Sequence, residues 1–372
     1  MSESSQVDLE EGRYRARELG IEIGVFPVGK FNAITDVKGV KVGHTTIVKG
    51  SSTRTGVTAV LPHGNIFQEK VPGAMHRGNG FGKLVGYTQV KEFGTIETPI
   101  VLTNTLSVFT AADALVEYTL SFPGNENVKS VNPIVGETSD EYLNDIRNKG
   151  ITKEDVFKAI KNARSGFIEE GSVGAGTGTT CLGWKGGIGT ASRVLPGDFG
   201  GYRVGVLVQS NFGGILSING APVGRELDNF YFRKKKREDG SCMIIVATDA
   251  PLSPIDLERL AKRALLGLAR TGGLSSNRSG DYIIAFSTAT KIEHEPPNRS
   301  RKEEVLYSKY TSPLFCGVAE ATEEAIINSI LRATTVTGYK GHVGKAIPID
   351  QVIEMCRKYN VLNWNKSLPM AG

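Results

Sequence analysis

The chain has 372 residues, 40% apolar and 22% charged, enough to bury a large core and typical of an ordinary soluble globular protein. Its net charge of +5 is mild and spread along the chain, and the one compact basic run, at 233–237, has no stacking module or helix-turn-helix pattern beside it, so it reads as a solvated linker and no nucleic-acid partner is expected. No run approaches the ~18 apolar residues of a membrane span, the opening stretch MSESSQVDLEEGRYRARELG lacks the apolar core of a signal peptide, and Cys181, Cys242, Cys316 and Cys356 are too scattered for zinc spacing or a disulfide framework; a reduced, cytoplasmic protein without a membrane partner is expected.

In chain order, GVTAVLP (56–62) and PIVLTNT (99–105) read as strands, and a helix is predicted over about 106–120. Another helix starts at Thr152, where Thr152 and Asp155 have the spacing of a capping box with Asp in the usual Glu place. The glycine-rich block 171–193 leads into extended chain, and YRVGVLVQSN (202–211) is a strand. A polar segment, DNFYFRKKKRED, runs directly into the strand CMIIVAT (242–248). Next comes the clearest helix: Ser253 suits its cap, Pro254 its first position and Asp256 its first turn, with Leu257, Leu260, Ala261, Ala264, Leu265 and Leu268 on one stripe and Gly272-Gly273 as its stop. The strand DYIIAFST (281–288), a polar loop (294–304), a helix over about 322–333 and a C-terminal helix over about 349–359 complete the pattern. Strands apolar nearly throughout are those covered on both faces, so a layered α/β architecture is expected.

Several chemical motifs fail on inspection. The glycines at 174, 176 and 178 do not make a dinucleotide fingerprint, which needs a strand before and a helix after, and GYKGHVGKA (338–346) misses a phosphate loop by spacing. There is no G-x-S-x-G elbow, and His44, His63, His76, His294 and His342 lack metal-ligand spacing, so they read as structural or solvated and neither metal nor cofactor is expected.

The junction Gly240-Ser241, where the charged tether meets the apolar strand, offers different chemistry. A serine hydroxyl needs a base. Cleavage between Gly240 and Ser241 would give Ser241 a free α-amine, which titrates near ~7.7–8.0, close to where a general base is most effective. The uncut chain can use the same hydroxyl to attack the Gly240 carbonyl and form an ester that water resolves, and glycine tolerates the backbone angles required. By itself the pair reads as a plain loop-to-strand turn.

The junction does not stand alone. NAITDVKGVKVGHTT (32–46), VGETSDEYLND (135–145), GTGTTCLGWKGGIGTASR (176–193), VQSNFGG (208–214), DGSCMIIVATDAPLSP (239–254) and SGDY (279–282), in this order along nearly the whole chain, resemble the self-processing aminopeptidases, a family that includes the L-aminopeptidase/D-amidase/esterase enzymes and the β-peptidyl aminopeptidases. The resemblance implies a single catalytic domain with a four-layer αββα sandwich, like that of the N-terminal nucleophile hydrolases but differently connected and distantly related to ornithine acetyltransferase. It implies autoproteolysis into residues 1–240 and 241–372, which stay together and assemble as a tetramer of αβ heterodimers. It also implies removal of N-terminal residues from peptides, amides or esters carrying a free amino group, through an acyl-enzyme.

Carried over residue by residue, Ser241 is the nucleophile and Asn211 the side-chain donor to the oxyanion. Ser279 and Asp281 orient the new amine, Glu137 receives the substrate's amino group, and Tyr142 lies near the catalytic centre. Asp281 departs from the Glu of β-peptidase members by one methylene, which shortens its reach. Without the resemblance Asn211 would read as a turn cap, Glu137 as a surface charge and Tyr142 as helix packing. An acyltransferase and an unprocessed binding protein on the same scaffold remain as alternatives; the acetyltransferase family resembles a threonine-nucleophile version, whereas this chain has Ser241.

Overall fold

The structure is a computed structural model that describes residues 12–234, 240–364 and 368. Positions 235–239 of the charged tether, and with them most of the basic run, lie outside the described residues, as do residues 1–11 of the opening stretch.

Two sheets carry the fold. The larger joins Gly187–Val194, Arg203–Asn211, Gly240–Thr248, Ser279–Ser287, Glu69–Gly80 and Ile292–Glu293 in that order, with Thr95–Ile96 also paired to Glu69–Gly80. The smaller runs Lys41–Lys49, Thr53–Leu61, Ile100–Asn104, Ile134–Thr138 and Leu84–Val85. Side chains alternate across a strand, and along Gly240–Thr248 that alternation separates two cores. Cys242, Ile244 and Val246 pack with Leu257, Leu260 and Ala264 of helix Pro254–Arg270 and with Leu314, Val318 and Ile326 of helix Ser312–Leu331. Met243, Ile245 and Ala247 face the smaller sheet, meeting Val60, Ile100, Leu102 and Ile134. On that sheet's outer side, Val57, Ala59, Val101 and Val135 lie under Val108, Ala111 and Leu115 of helix Val108–Leu120 and Val156 and Ile160 of helix Lys153–Lys161. The layers are therefore helix, sheet, sheet, helix, the αββα order expected. The sheets close tightly at Gly136, where a Cβ would come within 2.3 Å of Met243 Cε.

Local signals were followed closely in two helices. Ser253 accepts the Asp256 N–H at 3.2 Å to start Pro254–Arg270, and Gly272 (φ +93°) follows its end. The Thr152–Asp155 box forms as predicted, with the Thr152 N–H reaching Asp155 Oδ2 at 2.9 Å. Elsewhere the structure departs from the pattern. The helix predicted over 322–333 is Ser312–Leu331, buried nearly all round, Glu320, Thr322, Glu323, Glu324 and Asn328 included. Those polar residues break the apolar stripe and hide a core helix. Strand Glu69–Gly80, with Pro72 and three glycines, gave no strand signal; it forms because Ser279–Ser287 and Thr95–Ile96 both pair with it.

The buried glutamates of Ser312–Leu331 are paired. Arg193, fully buried, donates from Nε to Glu320 Oε2 at 2.9 Å and from Nη2 to Glu324 Oε2 at 2.8 Å and to Ile23 O at 2.6 Å. Arg17 and Asn32 close on Glu324 Oε1 at 3.0 and 2.5 Å. Burial works to raise the Glu324 pKa, but Arg193 and Arg17 outweigh it and the carboxylate is held below its ordinary value. Arg193→Met would strand these charges, and losing one partner of a buried pair costs about 3–5 kcal/mol. Urea unfolding should register a loss of that order; a loss below about 1 kcal/mol would mean the network contributes little.

Candidate active site

Ser241 is the second residue of Gly240–Thr248, flanked by neighbours that the register fixes. Asn211 lies directly opposite on the antiparallel side and Gly280 on the parallel side, while Gly240 faces Ser279 and Cys242 faces Asp281. Four of the residues singled out in the sequence thus meet at one end of three adjacent strands. Ser241 is 6% exposed; its Oγ donates to Gly240 O at 2.6 Å and accepts the Gly280 N–H at 3.2 Å. Gly280 has no room for a side chain, since a Cβ there would lie 2.6 Å from Phe81 O.

Directly opposed residues share a face, and Ser241 shares its face with Met243 and Ile245, so its hydroxyl and Asn211 lie on the side between the sheets. Asn211 Oδ1 accepts the Thr180 N–H at 3.0 Å. A backbone donor there fixes the amide's orientation and turns Nδ2, the donor end, the other way. Ser279 and Asp281 alternate onto the helix-facing side, where Ser279 Oγ donates to Asp281 Oδ1 at 2.8 Å. They flank the main chain of Ser241 rather than its hydroxyl. Burial raises the Asp281 pKa, with hydrogen bonding to Ser279 and Ser275 opposing it. Even so, Oδ2 is buried without a hydrogen bond of good geometry among the described residues. Burial and the Asp281 charge together push the neighbouring Cys242 thiol well above its ordinary value.

Glu137, near the end of Ile134–Thr138, is 3% exposed. Oε1 accepts the Lys83 main-chain N–H at 3.0 Å, and Oε2 accepts the Thr105 hydroxyl. Gly82 lies between this carboxylate and Gly280, the neighbour of Ser241: a Cβ on it would come 3.0 Å from Glu137 Oε1 and 3.6 Å from Gly280 Cα. Tyr142 is attached differently. It is half exposed, stacks on His342 with centroids 4.5 Å apart, and offers its carbonyl to His342 Nδ1 at 2.8 Å. Its hydrogen bond and ring contact run to His342, and neither joins it to Ser241 or Asn211. Nor does any group of three or more His, Cys, Asp or Glu among the described residues have the geometry to hold a metal ion.

With this arrangement in view, the model of Peptidase family S58 matches residues 32–344. The chain belongs to that family. A curated relative, the β-peptidyl aminopeptidase BapA of Sphingosinicella microcystinivorans, is 39% identical over 94% of this chain and 93% of its own length. Among solved structures, the PH0078 protein from Pyrococcus horikoshii OT3 is 49% identical with a TM-score of 0.87, covering 93% of this chain and 99% of that one. The L-aminopeptidase D-Ala-esterase/amidase of Ochrobactrum anthropi, described as a variant of the Ntn hydrolase fold, is 35% identical with a TM-score of 0.87, covering 94% and 99%. Membership of family S58 makes the chain a hydrolase of the serine aminopeptidase class. Among the described residues, no helix is long and apolar enough to cross a membrane.

Sequence reasoning passed over Lys185, within the glycine-rich block of this S58 chain. It is fully buried, and Nζ donates to Gly176 O and Gly186 O, each at 2.8 Å. Two carbonyls are what a neutral amine's two N–H groups can satisfy. Burial pushes its pKa down to about 7, against the opposite pull of Cys181 and Asp140. Its strand Trp184–Lys185 pairs with Thr180–Cys181, the strand whose Thr180 N–H holds Asn211. The signal was a lysine amid glycines with no acidic residue at helical or strand spacing, a poor candidate for solvation.

The folded pKa of Lys185 lies below its ordinary value, so the unfolded chain binds more protons between about 7 and about 10.5 and stability should rise with pH across that window. Urea unfolding at neutral pH and near pH 9.5 should show the rise, and Lys185→Met should flatten it. An undiminished slope in the variant would assign the titration to another group.

Proposed function

We propose that this chain is a self-processing N-terminal serine aminopeptidase whose nucleophile and general base both come from Ser241. The observation that carries this reading is the disposition around that residue. Its hydroxyl touches the Gly240 carbonyl on one face, and a serine-aspartate pair with an unfilled Oδ2 flanks its main chain on the other.

In the precursor, Ser241 Oγ attacks the Gly240 carbonyl carbon, the peptide nitrogen leaves as the α-amine of Ser241, and water hydrolyses the resulting ester. The products are residues 1–240 and 241–372. The buried network supports their staying together, because Arg17, Asn32 and Arg193 belong to the first piece and Glu320 and Glu324 to the second. Once it has taken up a proton, the freed amine suits Asp281 Oδ2, which has no hydrogen bond of good geometry among the described residues; Asp281 is one methylene shorter than Glu but already adjoins this strand.

In turnover, Glu137 binds the substrate's free amino group and Ser241 Oγ attacks the carbonyl of that N-terminal residue. The amine takes the hydroxyl's proton and delivers it to the leaving amine. Asn211 Nδ2 and the Gly280 N–H stabilise the oxyanion, and water then frees the acyl-enzyme. Tyr142 is assigned to the edge of this centre by resemblance to the family. Substrates are small peptides, amides or esters with a free amino group, β-peptidyl substrates among them on the likeness to the Sphingosinicella enzyme. We assign the assembly as a tetramer of αβ heterodimers and the location as cytoplasmic, in keeping with four free cysteines. Nothing favours acyl transfer or a binding role over hydrolysis.

Ser241→Ala should run as one uncut band on a denaturing gel and release no p-nitroaniline from L- or β-alanine p-nitroanilide. Two fragments from that variant would overturn the reading. Asn211→Ala should lower kcat by about 10²–10³, the ~2.7–4 kcal/mol of one oxyanion donor, with KM changed far less; equal losses through KM alone would remove Asn211 from the oxyanion.

A further inference from the structure

The partners of Glu137 are of two kinds. Two are neutral and fixed, the Lys83 main-chain N–H at 3.0 Å and the Thr105 hydroxyl. The third is charged and loose: Lys83 Nζ stands 3.8 Å from Oε1, beyond hydrogen-bonding range, on a side chain 44% exposed. One residue thus anchors the carboxylate through its backbone and offsets its charge through a solvent-reaching ammonium. By contrast, the buried Glu324 is held by Arg193, Arg17 and Asn32, all within 3.1 Å. Glu137 is nearly as buried, yet its only counter-charge within 4 Å among the described residues is this one movable cation.

We propose that Lys83 is a resident competitor for the substrate's ammonium: it occupies the charge position at Glu137 in the empty site and swings out to solvent when a primary amine enters. This rests on the reading of Glu137 as the amine receptor. Binding is then an exchange of one cation for another, so the net gain is the difference between two ion pairs rather than the whole of one. Lys83 accordingly weakens the site for amines while keeping the buried carboxylate compensated between turnovers, and it sets KM. No bond is made or broken in the exchange, and the four-carbon stem of lysine is long enough for its ammonium to leave without moving the backbone donor.

The test uses the full chain and a simple probe, n-butylammonium, whose Kd is read by calorimetric titration without any turnover. Lys83→Met removes the cation and keeps the backbone N–H; its half-exposed side chain makes the fold tolerant, and Lys83→Arg restores the charge. Lys83→Met should bind n-butylammonium about two- to fivefold more tightly, the range expected when a partly exposed ion pair no longer competes, and Lys83→Arg should return to the wild-type Kd. In the active enzyme the same change should appear in KM rather than in kcat. An unchanged or weaker Kd in Lys83→Met would overturn the proposal. Glu137→Gln separates the two ideas. If it leaves n-butylammonium binding intact, the amine-receptor reading of Glu137 fails; if it abolishes binding while Lys83→Met changes nothing, only the role of Lys83 fails.

Discussion

The register of three strands is the constraint from which the site follows. Asn211, Ser241 and Gly280 are level because Arg203–Asn211, Gly240–Thr248 and Ser279–Ser287 pair along nearly their whole lengths. Each ladder is locked by side chains that must go to opposite cores. A slip of one residue would carry Met243 and Ile245 to the helix side and bring Cys242 and Ile244 between the sheets. The hydroxyl of Ser241 would turn with them, away from Asn211. The site is therefore held by apolar packing several residues away, which is why it can sit at the very start of a strand and still be rigid.

The same alternation divides the chemistry of Ser241 between two environments. Its Oγ leaves the inter-sheet face, where Asn211 and the Gly280 N–H lie. Its main-chain nitrogen is flanked from the other face by Ser279 and Asp281. A side-chain base, such as a histidine, would need a place on the hydroxyl's own face, already taken by Asn211 and Gly280. A base in the main chain needs none there, and its supporting acid can come from behind the sheet. Gly280 belongs to this economy of space, because a side chain there would strike Phe81 O and crowd the Ser241 hydroxyl.

What the sequence disclosed depended on how local the signal was. The cap at Ser253, the box at Thr152 and the apolar strand after Ser241 are set by neighbours in the chain, and each was legible. Glu69–Gly80 and the first half of Ser312–Leu331 are set by distant partners, one by two flanking strands and the other by Arg193 and Arg17, so local pattern misled. Ser241, Asn211, Ser279, Asp281 and Glu137 were named through resemblance to a family, not through spacing; only the register and Gly82 bring them together in space. Tyr142 was named in the same way, but its contacts run to His342. Lys83 had no signal at all, since its significance lies in the position of its ammonium relative to a carboxylate 54 residues away.

Buried carboxylates among the described residues differ in how their charge is met. Glu324 and Glu320 have their partners in place, and Asp140 receives the Asn144 amide at 3.0 Å with Thr55 and Asn104 close by. These are closed sets: another cation would find no acceptor free. Asp281 and Glu137 are buried to the same degree but left open, one with an unfilled Oδ2 and the other with a counter-ion that does not quite touch it. An unfilled acceptor in a dry setting is unfavourable in the isolated fold, so it persists where something arrives to fill it. Here the two open carboxylates sit on either side of Ser241, one where a freed amine would emerge and one within a side chain's reach of Gly280. On the proposed mechanism these are the two carboxylates that would meet the freed amine and the substrate's amino group.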